Sequence, residues 1–275
     1  MYLPQAGHFL ISDLISLALA LEYCGAAVGN QIVYDFKPVL RGPVIIEGLP
    51  GVGNVGKLAA DLTAKKLDAK RYARIYSEDL PPQVLMDEQG VADAAHIELW
   101  VADLGERDAV FVLGDFQGTT PNGQYLSSES VFKKILPYDP SMIITLGGYG
   151  TGSLVPAPRV LGAVSDQSLW TELEKAGVGF YPGEPQGGIV GAAAMFLAFG
   201  KMYDIPSVCI MGETSGYIID HRSAINVIHS MATLLGIDVD TSDYAEAAAA
   251  IDAANQEPAQ IEEAPSLEED LSYIR

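Results

Sequence analysis

From about residue 31 the chain alternates short apolar runs with stretches of helical spacing, and several of the joins between them are rich in glycine. Val44 to Gly48, Ala109 to Gly114, Met142 to Leu146 and Val208 to Met211 are apolar almost without interruption, the pattern of strands buried on both faces. Ile32 to Phe36, Tyr72 to Tyr76, Val84 to Met86 and Ile97 to Ala102 read as further strands. Val55 to Leu67, Tyr125 to Leu136, Leu169 to Ala176, Ile189 to Met202 and Ala224 to Leu235 carry helical spacing. This order predicts an α/β fold, a single mostly parallel sheet flanked by helices, over residues 31–240.

Composition fits a packed domain of that size. The 275 residues are 49% apolar and 19% charged, which excludes a mostly disordered chain, and their number allows a core that needs no disulfide or metal. Against 16 Lys and Arg stand 36 Asp and Glu, a net charge of −20. Nucleic acid is thereby excluded as a partner, because its affinity comes largely from neutralised phosphates. An anionic membrane surface is repelled for the same reason. Cys24 and Cys209 form no framework and no metal-ligand spacing, and Cys209 reads as an inert core thiol. A reducing, cytoplasmic setting, with no metal and no cofactor, is the expectation.

Both ends depart from the alternating pattern. Phe9 to Leu21 is apolar, but Asp13 interrupts it and Glu22 ends it. The uncharged part, Leu14 to Leu21, is eight residues long against the ~20 of a spanning helix. Residues 1–30 therefore read as a docking helix or peripheral extension, and residues 241–255 as a C-terminal helix. Gln256 to Asp270 holds two prolines, six acidic residues and no basic one, which predicts a flexible acidic tether. It leads to Leu271, Ser272, Tyr273, Ile274 and Arg275. The plain readings of that segment are a fraying terminus or a strand docked on the body. The functional reading is a linear motif offered to a partner through Leu271, Tyr273, Ile274 and the Arg275 carboxylate.

The glycine segments are the candidate ligand loops. Strand 44–48 runs into Gly51-x-Gly53-x-x-Gly56-Lys57, which has the spacing of a dinucleotide-binding turn and most of a P-loop. Leu58 stands where a P-loop needs a hydroxyl for Mg²⁺, which argues against NTP hydrolysis. A tight turn between strand and helix also needs glycine without any ligand. Further candidate loops are Gly147, Gly148, Tyr149, Gly150 and Thr151; Gly187 and Gly188; and Gly212, Glu213, Thr214 and Ser215. In a parallel sheet they gather at the carboxyl ends of the strands. Glu47, Asp115 and Glu213 are strand-end carboxylates, and His221 is the one histidine placed as a base, but no catalytic set assembles from them.

Taken together, several ordered blocks resemble the archaeal proteasome-assembly-chaperone family. They are Ile46 to Gly53, Asp79 to Gln83, Gly123 to Tyr125, Leu146 to Gly152, Gly187 to Gly191 and Gly212 to Tyr217. The resemblance covers roughly residues 40–240. It implies a nucleoside-phosphorylase-like α/β fold, homo-oligomers, and a chaperone or adaptor without established enzymatic activity. It also implies that the C-terminal tail engages the proteasome α-ring, through a hydrophobic–Tyr–any ending. Here the ending is Tyr273-Ile274-Arg275, so the tyrosine stands one place early. The competing reading is an ATP-grasp-like or phosphorylase-like protein that binds a nucleotide or small molecule at the glycine loops.

Overall fold

A computed structural model describes residues 30–246, within one compact unit that ends at Val239 and a second that begins at Asp240. Most of the N-terminal extension, the last part of the C-terminal helix, the acidic tether and residues 271–275 lie outside the described residues.

The first unit is built on one eight-stranded sheet. In chain order its strands are β1 (Gln31–Tyr34), β2 (Val44–Glu47), β3 (Lys70–Tyr76), β6 (His96–Asp103), β7 (Asp108–Gly114), β8 (Met142–Gly150), β9 (Val160–Val164) and β10 (Ser207–Thr214). The short strands β4 (Val84–Met86) and β5 (Ala92–Ala94) form a separate hairpin. Across the main sheet the order is β1-β3-β6-β7-β2-β8-β10-β9. The central four, β7, β2, β8 and β10, are parallel to one another, and antiparallel pairings complete both flanks. The four strands with uninterrupted apolar runs are thus the four parallel ones.

Period-2 alternation divides the strand residues between two layers of helices. Val44, Ile46, Phe111, Ile144 and Ile210 face α1 (Val55–Lys66) and α5 (His221–Leu235). Ile45, Val110, Val112 and Ile143 face α2 (Pro121–Ile135) and α4 (Ala192–Met202). A short helix, α3 (Trp170–Lys175), packs Leu173 into the first layer. The second layer is fastened by aromatics: Phe132 of α2 stacks on Phe199 of α4 with centroids 5.2 Å apart. Each such side chain, fully buried, contributes about 1.5–3 kcal/mol.

Helix starts follow local chemistry. Thr120 caps α2 by accepting the Gly123 N–H, with Pro121 at the first helical position. Asp220 caps α5 through the Ser223 N–H at 3.0 Å. The helix expected from Ile189 begins instead at Ala192, because Gly191, at φ +79°, holds a conformation that starts the helix only after it. The second unit is described over residues 240–246, where Asp240 accepts the Ser242 N–H at 2.9 Å and residues 242–246 are helical.

Candidate functional site

Two of the segments read as loops are strand. Gly147, Gly148, Tyr149 and Gly150 belong to β8, and Gly212, Glu213 and Thr214 to β10. Apolar content stops at Leu146 and Met211, but pairing does not: β8 and β10 stay in register as far as Gly150 and Thr214. Glycine serves packing there. A Cβ on Gly148 would lie 2.1 Å from the Val52 carbonyl oxygen, so only glycine lets the turn after β2 rest directly on β8.

This overhang creates a step in the sheet. Pairing of β2 with β8 ends at Glu47 and Thr145, so the last five residues of β8 run past the end of β2. The chain also changes sides here. After β2 it enters α1 on one face, and after the neighbouring β7 it enters α2 on the other. A crevice outside the carboxyl ends of strands at such a switch point is where ligands of open α/β sheets bind. A cavity of about 540 Å³ occupies it, within the 300–1,000 Å³ usual for small-molecule sites.

Among the sequence-derived candidates, the cavity gathers Gly51, Gly147, Gly148, Tyr149, Gly150 and Gly188. The others are not part of its lining. Gly53, at φ +61°, packs on Thr214, with its Cβ position 2.7 Å from Oγ1. Gly56 backs onto the Leu146 carbonyl, 2.1 Å from its Cβ position. Lys57 pairs with Asp61 at 2.9 Å and Asp115 at 3.1 Å. Thr151 donates its hydroxyl to the Ser153 and Thr214 carbonyls, and Gly187 turns the chain at φ +78°. Gly212 lies under Ser223 of α5, and the Ser215 hydroxyl accepts the Tyr217 N–H at 3.3 Å. The P-loop-like spacing therefore reflects close packing of α1 on the sheet. Its lysine is held by two carboxylates, and among the described residues no Lys, Arg or His lines the cavity to meet a phosphate.

The sequence singled out Glu47 only as a strand-end carboxylate. It is 1% exposed and lines the cavity. Its Oε1 accepts the Leu49 N–H at 2.9 Å, while Oε2 is buried without a hydrogen-bond partner among the described residues. Burial pushes the Glu47 carboxyl up to about 8, against the smaller opposing effect of the Leu49 N–H, so the group holds its proton at neutral pH. Cys209, three strands along from β7, is pushed up to about 12 by burial and stays a thiol. Sequence reading missed Gln117. Its amide nitrogen donates to the Pro50 carbonyl and its Oε1 accepts the Ala192 N–H at 2.9 Å, fastening the β2 turn to the start of α4. The signal available for it was position alone, three residues past the end of β7. Among the described residues no group of His, Cys, Asp and Glu could hold a metal, and no helix is long and apolar enough to cross a membrane.

The sequence pattern of the PAC2 family matches residues 45–258. A curated protein of Methanocaldococcus jannaschii, itself uncharacterized, is 33% identical over 250 residues, which cover 88% of this chain and 95% of that one. Pyrococcus furiosus PbaB, described as an archaeal proteasome activator, superposes with a TM-score of 0.77 at 31% identity, over 83% of this chain and 98% of its own. Pyrococcus furiosus PbaA, described as an archaeal homolog of proteasome-assembly chaperone, gives 0.68 at 25% identity, over 82% and 94%. The family match begins in β2 and takes in every later strand of the sheet, with the β8 overhang and the turn that rests on it, and the chain belongs to the PAC2 family.

Proposed function

We propose that this protein is a proteasome-associated chaperone or adaptor. The observation that carries the reading is the near-complete overlap with PbaB, at 31% identity over 98% of that chain. The kinship with PbaA, a homolog of proteasome-assembly chaperone, points the same way. In this reading the folded unit forms a homo-oligomer, works in the cytoplasm, and serves as a scaffold. Engagement with the proteasome α-ring falls to Leu271, Tyr273, Ile274 and Arg275, at the end of the acidic stretch 256–270. The composition of that stretch supports a tether role, since like charges extend a chain and allow its end to search for a pocket.

The test is co-purification of purified archaeal α-subunit rings with the full chain and with a chain lacking residues 271–275. Capture by the full chain and loss by the truncated one is the expected result. Equal capture by both sinks the tail as the contact, and capture by neither sinks the proteasome reading.

A further inference from the structure

Buried carboxyl groups in folded proteins are nearly always paired, and Glu47 is half-paired. Its flanking residues by register are Val112 of β7 and Thr145 of β8, and beyond Thr145 lies Cys209 of β10. Val112 is apolar, and the Thr145 hydroxyl donates to the Val208 carbonyl. From the segment after β7, Gln117 has both amide atoms engaged elsewhere. The fold therefore uses one oxygen of Glu47 and leaves the other unpartnered, on a residue that lines a cavity built from five backbone segments.

We propose that this cavity binds a small molecule carrying a primary amine, whose ammonium group pairs with Glu47 Oε2 while its apolar body rests against Leu49, Leu146, Ile189 and Met211. Four observations select that chemistry. A ligand must supply the positive charge itself, because among the described residues the lining has no Lys, Arg or His. With Oε1 taken by the Leu49 N–H, one oxygen lacks a partner, which suits a single-point ammonium better than a forked guanidinium. The chain's net charge of −20 concentrates cations and repels anions, nucleotides among them. Tyr149 in the same lining offers an aromatic surface to a cation. This site is independent of the proteasome reading and of residues 271–275.

Binding exchanges a proton for the ligand. The protonated Glu47 gives its proton to solvent and its carboxylate receives the ammonium. The other ionisable groups of the lining are Cys209 and Tyr149; the segments from α4 and the turns contribute none, since Gln117, Gln124 and Gln186 are uncharged. Affinity should therefore rise about tenfold per pH unit from pH 6 to the Glu47 midpoint near 8 and level off above it.

Isothermal titration of the full chain with 4-phenylbutylamine between pH 6 and 9, beside the neutral 4-phenylbutanol and the anionic 4-phenylbutyrate, tests the proposal. The expected result is binding of the amine alone, with that pH slope and release of close to one proton at pH 7. Glu47→Gln should weaken the amine at least tenfold. The carboxyl ¹³C signal of Glu47 in the unmodified chain gives a second readout that does not depend on the variant's folding, and its midpoint should fall by about two units or more in saturating amine. No amine binding at any pH, equal binding to the variant, an unmoved midpoint, or equal binding of the alcohol would each overturn it.

Discussion

Two of the four parallel strands end in a buried glutamate, and the fold treats them in opposite ways. Glu47 closes β2 at 1% exposure and Glu213 lies one residue before the end of β10 at 5%. Glu213 is enclosed by one residue, Arg159. The Arg159 N–H donates to Oε2 at 2.9 Å, and its Nε donates to Oε1 at 2.9 Å, with Nη2 on the same oxygen. The guanidinium in turn lies over Tyr181, 4.4 Å from the ring centre. Glu47 has a single backbone donor. The Arg159 hydrogen bonds hold the Glu213 carboxyl below its ordinary range, while burial drives Glu47 to about 8. The two strand ends thus carry a charged group and a neutral acid. Depth and partners act together: Glu47 lies deep with one donor, and Glu213 lies nearer the surface with three hydrogen bonds from Arg159. The β10 end is closed by its own chain, and the β2 end opens on a cavity.

The largest consequence is a stability profile with two slopes of opposite sign. A carboxyl raised in the folded state binds its proton more tightly there than in the unfolded chain, so stability falls as pH rises through the interval between the two midpoints. For Glu47 that interval runs from the ordinary 4.5 to about 8, and the loss reaches roughly 4–5 kcal/mol as an upper limit. Glu213 has the reverse sign. Its contribution is present at neutral pH and fades in acid, as pH falls below its ordinary value toward its lowered one. Urea unfolding between pH 3 and 9 should show both limbs. Glu47→Gln should flatten the alkaline limb alone, unfolding like the parent at pH 5 and at higher urea than the parent at pH 9. A parent profile flat from pH 5 to 8 would break the contrast at its centre.

Removing the partner tests the other half. Arg159→Met leaves the Glu213 carboxyl buried without its guanidinium, and the melting temperature at pH 7 should fall by roughly 5 °C. The acid limb should shrink in the same variant, because a carboxyl without its cation titrates closer to its ordinary value. A melt unchanged within 1 °C would mean that water replaces Arg159 without loss.

The sequence made the frame of this contrast readable and hid its substance. Uninterrupted apolar runs identify β2, β7, β8 and β10, since strands buried on both faces leave no polar alternation. The ordered glycine blocks identify the family, because close approach of helix and turn to the sheet fixes where glycine must stand: Gly56 against Leu146, Gly148 against Val52. The ends of β8 and β10 were not legible. Glycines there read as loop, and only the partner strand shows that the ladder continues. Nor was the fate of either glutamate. Arg159 is 54 residues from Glu213, and Gln117 is 67 from Pro50, and spacing along a chain does not announce such meetings.

The smallest effect separates open space from filled space. At the β10 end, a Cβ on Gly212 would lie 3.0 Å from both the Cβ and the carbonyl oxygen of Ser223, on the helix that crosses it. Gly212→Ala should therefore force α5 outward and destabilise by about 1 kcal/mol, at the mild end of overpacking. At the β2 end, a Cβ on Gly51 meets nothing within 4 Å, and its φ of −153° suits any residue. Gly51→Ala should leave stability within about 0.5 kcal/mol of the parent. It nevertheless adds a methyl group to a residue that lines the cavity, so a probe bound there should feel what the fold does not. Urea midpoints of the two variants, measured together at pH 7, give the comparison. Equal losses would mean that the β2 end is as tightly filled as the β10 end, and that the cavity beside Glu47 closes in solution.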